Sequence, residues 1–426
     1  MKKPAARVET VNRNQTFLDP RDFDALIPPE HPARAVWAFV ERLDLSKFYE
    51  RIRVREGGQG RSATDPKVLL ALWLYGISDG EGSARELVRL TESHDAYRWL
   101  RGGVGLNHHT VSDFRTAHPE AVNELLTQLL ASLLDSKLLT LHRIAQDGTK
   151  IRANAGAASF KRRETLHKLL KTARRQIREV DAAARDGATE RKLAAISRAA
   201  EERAERVELA IERLSLIRTP KAEKKRDTKG KKKSEPRAST TDPDARIMKD
   251  GGGGFRPSFN VQLATEEKSG LIIEARVTTE PADNHQLVPM LDAIETRLGE
   301  KPDQLLADAG YIHFDSVEAV AERDVKLFMS LDSNVVIVDG KRIDPLEPRA
   351  GDRPAVAALR RRMKSESGRT VYGKRGQVAE LPNAVIKERL GLRQFLVRGL
   401  AKVQTAMMLT VLAYNMQRLI SLGWSW

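Results

Sequence analysis

Two short apolar runs that each end on an aspartate constrain this chain most. In the first, Leu138, Leu139, Leu141 and Ile144 read as a strand that Gly148 stops, leaving Asp147 at its carboxyl end. In the second, Gln304–Ala307 reads as a short buried strand followed by Asp308, Ala309, Gly310 and Tyr311. Ligands of α/β sheets bind at the carboxyl ends of strands, so two carboxylates at two strand ends point to one shared site. Taken singly, an Asp-Gly after a strand is an ordinary turn that uses the aspartate's own hydrogen bonding.

The 426 residues, 41% of them apolar, are enough for about two or three domains with sizeable cores. No cysteine is present, which excludes disulfides and thiolate metal sites and fits a reducing compartment. The net charge of +15 calls for a polyanionic partner, nucleic acid first among them. Much of that charge lies in 161–240, where 25 Lys and Arg face 13 Asp and Glu. Met1–Gln15 lacks the apolar core of a signal peptide, and Val403–Met416 is too short to span a bilayer. A soluble, cytoplasmic, nucleoid-associated protein with no membrane partner is the expectation.

In chain order, a Pro-bounded helix is predicted over Ala33–Tyr49 and an apolar one over Lys67–Ile77, started by Asp65-Pro66, at the centre of an N-terminal bundle. Two more helices, a glycine-rich turn at Arg101–Asn107 and a helix capped by Thr110 resemble a helix-turn-helix. In that arrangement His108, His109, Ser112 and Arg115 face DNA, whereas an ordinary bundle corner uses them otherwise. Between Phe160 and Phe255 there is no aromatic residue, and apolar residues recur at helical spacing. We read 156–254 as an inserted, basic helical hairpin with linkers at Lys221–Lys233 and Gly251–Gly254; a solvated charged arm or a dimerising coiled coil are the other readings. Without aromatic rings, such a segment meets phosphates rather than stacking bases.

Strands are then expected at Ser258–Thr265, Leu271–Val277, Gln304–Ala307 and Val325–Leu331, with helices at His285–Leu298 and Phe314–Glu322. An irregular basic connection follows over 333–370, then helices at Val378–Leu390, with Pro382 in the first turn, and Arg398–Leu422. Glu380 lies at the start of the first. Three carboxylates brought together repel unless cations sit among them, and oxygen ligands without His or Cys select Mg²⁺ or Mn²⁺. Two such ions activate a water or 3′-hydroxyl and stabilise the leaving oxygen of a phosphodiester displacement. Lys150, Arg152, Lys374, Arg375 and Lys387 flank the acids and could hold the phosphate backbone; Tyr311 and Tyr372 could stack on a DNA end or simply pack.

QDGTKIRANA (146–155), LLADAGY (305–311) and VYGKRGQVAELPNAVIKERLGLRQFLVRGL (371–400) resemble the three blocks of bacterial insertion-sequence DDE transposases. The resemblance extends over TDPDARIMK (241–249) and the N-terminal region. It implies an α/β, RNase H-like mixed sheet flanked by helices over 138–426, an N-terminal all-α DNA-binding domain over 1–137, and the 156–254 insertion between the first and second catalytic strands. It also implies Asp147, Asp308 and Glu380 as the catalytic, metal-binding triad for two Mg²⁺ or Mn²⁺ ions. DNA cleavage and joining at terminal inverted repeats follows, with target DNA as the second substrate. Tyr372, Arg375, Glu380 and Lys387 match a tyrosine–arginine–glutamate–lysine signature, with the arginine-to-glutamate interval one residue longer. Ala406 stands where similar sequences carry an acid, and Glu388 is the alternative third ligand. The inserted segment has no tryptophan to stabilise a flipped base. A two-ended substrate makes a homodimer on DNA the expected assembly. The other classes open to the chain are a catalytically inactive, repurposed DNA-binding protein and a metal-dependent nuclease that joins nothing.

Overall fold

A computed structural model describes residues 22–54, 59, 62–185, 190–217, 235–331, 336–338 and 341–424. The first part is helical: α1 (Pro32–Glu41), α2 (Ser46–Glu50), α3 (Pro66–Ser78), α4 (Ala84–Ser93), α5 (Asp95–Arg101), α6 (His108–Ala117) and α7 (Pro119–Asp135). α3 starts where Asp65 accepts from the Lys67 amide at 2.8 Å and Pro66 occupies its first turn. It is apolar all round because it is the centre of the bundle, with Leu70, Leu72, Trp73 and Leu74 fully buried. α6 is capped by Asn107, whose side chain accepts from the His109 amide at 2.9 Å, three residues earlier than the expected Thr110 cap.

β1 (Arg143–Arg152) runs on through Gly148. The expected strand at Leu138–Ile144 therefore lies too early, and Asp147 is in mid-strand rather than at a strand end. β2 (Phe160–Lys161) pairs with β3 (Ala238–Ser239) and closes the base of a helical hairpin, α8 (Arg163–Arg185) and α9 (Glu190–Leu216). That hairpin has a small core of its own, Leu166, Val207, Ala210, Leu214 and Ala238, and is laced by Arg174–Glu208 at 2.7 Å. The Lys221–Lys233 linker reading lies outside the described residues. Gly251–Gly254 is no linker: β4 (Arg246–Lys249) and β5 (Phe255–Glu266) pair antiparallel, and the glycines make the turn, with Gly253 and Gly254 at positive φ.

β6 (Ile272–Thr278), α10 (Leu287–Leu298), β7 (Gln304–Ala307), α11 (Phe314–Glu322), β8 (Lys326–Met329), β9 (Val336–Val338) and β10 (Lys341–Ile343) follow. The 333–370 connection is more regular than expected, since its described residues include that hairpin, α12 (Pro354–Lys364) and the start of α13 (Glu366–Gly373). α14 (Arg375–Ala384) begins three residues before the expected Val378, so Pro382 falls inside it and the helix runs on as a π turn over Val385–Arg389. α15 (Leu400–Ser421) closes the chain.

The main sheet is mixed, ordered β4-β5-β1-β7-β8, with β6 beside β4 on the same edge of β5. β5 is antiparallel to β1, β4 and β6, whereas β1, β7 and β8 are parallel. α15 covers the edge of β6 with side chains that substitute for a strand. The fully buried Asn415 accepts from the Ile272 amide at 2.9 Å and donates to its carbonyl at 2.8 Å, and Gln404 treats Val277 and Ala275 likewise. The same helix packs on α3, α6 and α7, so one hydrophobic core runs from Ile27 to Leu419 across the expected boundary at 137/138. Among the described residues no helix is long and apolar enough to cross a membrane.

Candidate active site

β1 and β7 pair in parallel with Ala145 beside Leu306. Continuing that register by two residues sets Asp308 beside Asp147, on the same face of the pleat. Both are half-buried. Burial raises the Asp147 carboxyl to about 6, and the neighbouring negative charge of Asp308 adds to the rise, while Arg375 opposes it. Asp308 also accepts from the Gly310 amide at 2.8 Å, which fixes the turn that leaves the strand.

α14 packs over β1 and β5 and carries the next contact. Asn383 donates from Nδ2 to Asp147 Oδ2 at 2.8 Å, and its Oδ1 is buried without a partner. Lys387 follows one turn later; burial lowers its ammonium pKa, and the carboxylates of Asp250 and Asp147 oppose that. Glu380 is one turn before Asn383 on the same helix face but is exposed. Glu388 is exposed as well and is ion-paired with Arg393. Among the described residues no group of three or more His, Asp or Glu side chains is gathered to hold a metal ion. Asp147 and Asp308 nevertheless fit one. They are paired hard oxygen donors that repel each other, beside an unsatisfied amide oxygen, and a divalent cation would relieve both conditions.

Alternation puts Gly148 and Lys150 on the opposite face from Asp147. Lys150 therefore does not flank the acids as expected; its Nζ is 3.1 Å from Asp283 Oδ1. Asp283 also accepts from Asn260 at 2.6 Å and Gln262 at 2.7 Å, and Gln146 donates to Gln262 at 3.1 Å. Tyr311 is fully buried in the same network, its hydroxyl donating to Gln262 at 2.5 Å, and burial holds its phenol well above the usual range. It packs and does not stack on a DNA end.

The remaining expected contacts divide. Tyr372 is half-buried against the core and Arg375 half-buried beside Asp147. Lys374 is paired with Glu267 at 3.3 Å. Arg152 is exposed at the end of β1. In α6, His109 is exposed, its ring 4.1 Å from that of His108, and Ser112 is half-buried. Arg115 is a correction. It is 9% exposed, donates to Gly82 O at 2.7 Å and lies 4.6 Å over the Trp73 ring, so it faces the interior and not a duplex on the bundle surface. Sequence reasoning missed Asp283, Asn383 and Gln262. A signal for the second and third existed: Ser258, Asn260 and Gln262 put polar groups at alternate positions of a strand whose neighbours are apolar, and Asn383 is one helical turn after Glu380.

A mixed α/β sheet flanked by helices, with two carboxylates at one register, is compatible with the core of an enzyme that acts on DNA. Residues 215–416 match the family model of the transposase DDE domain, a span that takes in Asp308 and Glu380 and begins after Asp147. Residues 21–117 match a second model, a transposase domain (DUF772). Neither a curated protein nor a solved structure matches the chain. Together the two family-model matches indicate an insertion-sequence DDE transposase, and that family generally uses divalent metal ions.

Proposed function

We propose that the chain binds the terminal inverted repeats of its own element and catalyses Mg²⁺-dependent strand cleavage and strand transfer, with Asp147, Asp308 and Glu380 as metal ligands. The observation that carries this is the equal register of Asp147 and Asp308 on adjacent parallel strands, with the raised Asp147 carboxyl as its electrostatic signature. An RNase H-like core is supported by the run β6-β5-β1-β7-β8, antiparallel at one end and parallel at the other. Bound there, two divalent ions would supply activation of the attacking oxygen and charge stabilisation at the leaving oxygen.

The chain's own residues prepare that site. Asn383 donates to Asp147 Oδ2 and so fixes the orientation of that carboxylate. The Asp283 network pins the strand from behind, at Gly148 and Lys150. Arg375 and Lys387 place positive charge beside Asp147, where they can hold a phosphodiester. Tyr372, Arg152, His109 and Ser112 remain candidates for DNA contact, and a homodimer on paired ends remains the expected assembly.

The test is strand transfer in vitro with a labelled duplex that carries the element's end. Joined product that requires Mg²⁺ and is lost in Asp147→Asn supports the reading; nicks without joined product identify a nuclease. One observation favours a second reading, an inactive DNA-binding derivative: Glu380 is exposed and is not gathered with the two aspartates. Duplex binding with neither nicks nor joined product would establish it.

A further inference from the structure

α3, α6, the segment after the π turn and α15 enclose a cavity of about 320 Å³ that the carboxylate site does not use. Trp73, Arg115, Arg152, Phe395 and Ala406 are among its walls. Two turns meet at its rim, and a side chain at Gly391 would lie 2.9 Å from Gly80 O, so the backbones are packed as closely as glycine permits.

Arg115 is the unusual group here. Nine-tenths of it is buried, Nη1 donates to Gly82 O at 2.7 Å, and Nε is buried with no partner. Burial lowers its guanidinium to about 10, with no carboxylate offsetting the effect. Glu81 also lines the cavity, but its carboxylate accepts from the Ser83 amide at 2.5 Å. Arg152 lines the same space, is exposed, and among the described residues its side chain makes no hydrogen bond or ion pair. A third lining arginine, Arg393, is already ion-paired with Glu388, and at position 406 the side chain is only a methyl group, so space remains beside Arg115 and Arg152.

A buried, incompletely bonded guanidinium is unfavourable until an anion meets it. Two guanidinium forks around one cavity suit a tetrahedral oxyanion, because each can donate paired N–H groups to separate oxygens. We propose that this cavity is a phosphate-binding site, with Arg115 as the inner ligand and Arg152 as the outer one. It is independent of the metal chemistry at Asp147 and Asp308. The phosphate could be part of a DNA backbone or a free ion, and the chemistry of recognition is the same.

The test uses the full chain and two probes, inorganic phosphate and a duplex oligonucleotide. Wild-type protein should melt higher in phosphate than in chloride of equal ionic strength. Ala406→Glu, which puts a carboxylate into the cavity, should melt higher without phosphate and lose the phosphate response, its affinity falling roughly ten- to a hundredfold. Arg152→Ala, at an exposed position, should weaken the response without unfolding the chain. If the bound group is a DNA phosphate, Ala406→Glu also lowers the salt dependence of duplex binding by about one ion. If it is a free ion, duplex binding is unchanged while the phosphate response is lost. An equal phosphate response in wild type, Ala406→Glu and Arg152→Ala overturns the proposal.

Discussion

Replacing Gly148 by alanine tests how the candidate site is held. A Cβ at 148 would press into Gln262 Nε2 and lie 2.7 Å from Asp283 Oδ1. Gln262 is 1% exposed, so its amide has nowhere to retreat without giving up its bonds to Asn260 at 3.0 Å and Asp283 at 2.7 Å. Losing one neutral and one charge-assisted hydrogen bond in a buried setting costs about 3 kcal/mol. In a chain of this size that lowers the melting temperature by several degrees, roughly 2–4 °C per kcal/mol or less. The assay is thermal melting beside Gly156→Ala, a control at which a Cβ meets nothing within 4 Å and the backbone is extended at φ −85°. Strand transfer should fall with stability, because Asp147 is the adjacent residue. If Gly148→Ala melts with the wild type, the polar network does not support the strand and the reasoning fails.

Other perturbations read other parts of the molecule. Asp242 is fully buried and accepts from the Gly399 amide at 3.2 Å at the start of α15, and burial raises its carboxyl from 3.8 to about 6. Because the folded value is raised, this group withdraws about 3 kcal/mol of stability as pH rises from below 4 to above 6. Asp242→Asn should therefore gain on the wild type across that window in urea titrations, and a constant difference would contradict the assignment. Arg297 and Glu274, each 4% exposed in the side chain and 2.8 Å apart, tie α10 to β6, and Arg297 also donates to Thr127 of α7 at 2.9 Å. Arg297→Ala leaves a buried carboxylate unpaired and should cost about 3–5 kcal/mol in the same titration. Glu380→Gln should abolish joined products while Glu388→Gln, which only loses the Arg393 pair, keeps them; the reverse result moves the third ligand to Glu388.

Much of the α/β order was legible because apolar runs, glycines and capping residues act locally. The strand at Gln304–Ala307 and the helix at Phe314–Glu322 have the expected limits, and Asp65-Pro66 starts α3. What sequence could not show depended on partners far along the chain. Gly148 looked like a stop because a glycine after aspartate usually turns, yet here it stays in the strand, where a side chain would meet Gln262 and Asp283. Lys150 looked like a phosphate contact because Asp283, 133 residues later, could not be foreseen beside it. Arg115 looked outward because its helix was placed on the surface, whereas α15 and α3 bury that face. Pro382 is expected in the first turn of its helix but lies inside it, and the π turn that follows has no signal in residue types alone.

The most direct test of the account is a crystal of the protein soaked in Mn²⁺, read by anomalous scattering. A peak shared by Asp147 and Asp308, with ligand distances of about 2.1 Å and Glu380 or Glu388 drawn into the same shell, is the expected result. Full occupancy elsewhere in the protein, with Asp147 and Asp308 unligated, would contradict the claim that these two carboxylates form the metal site.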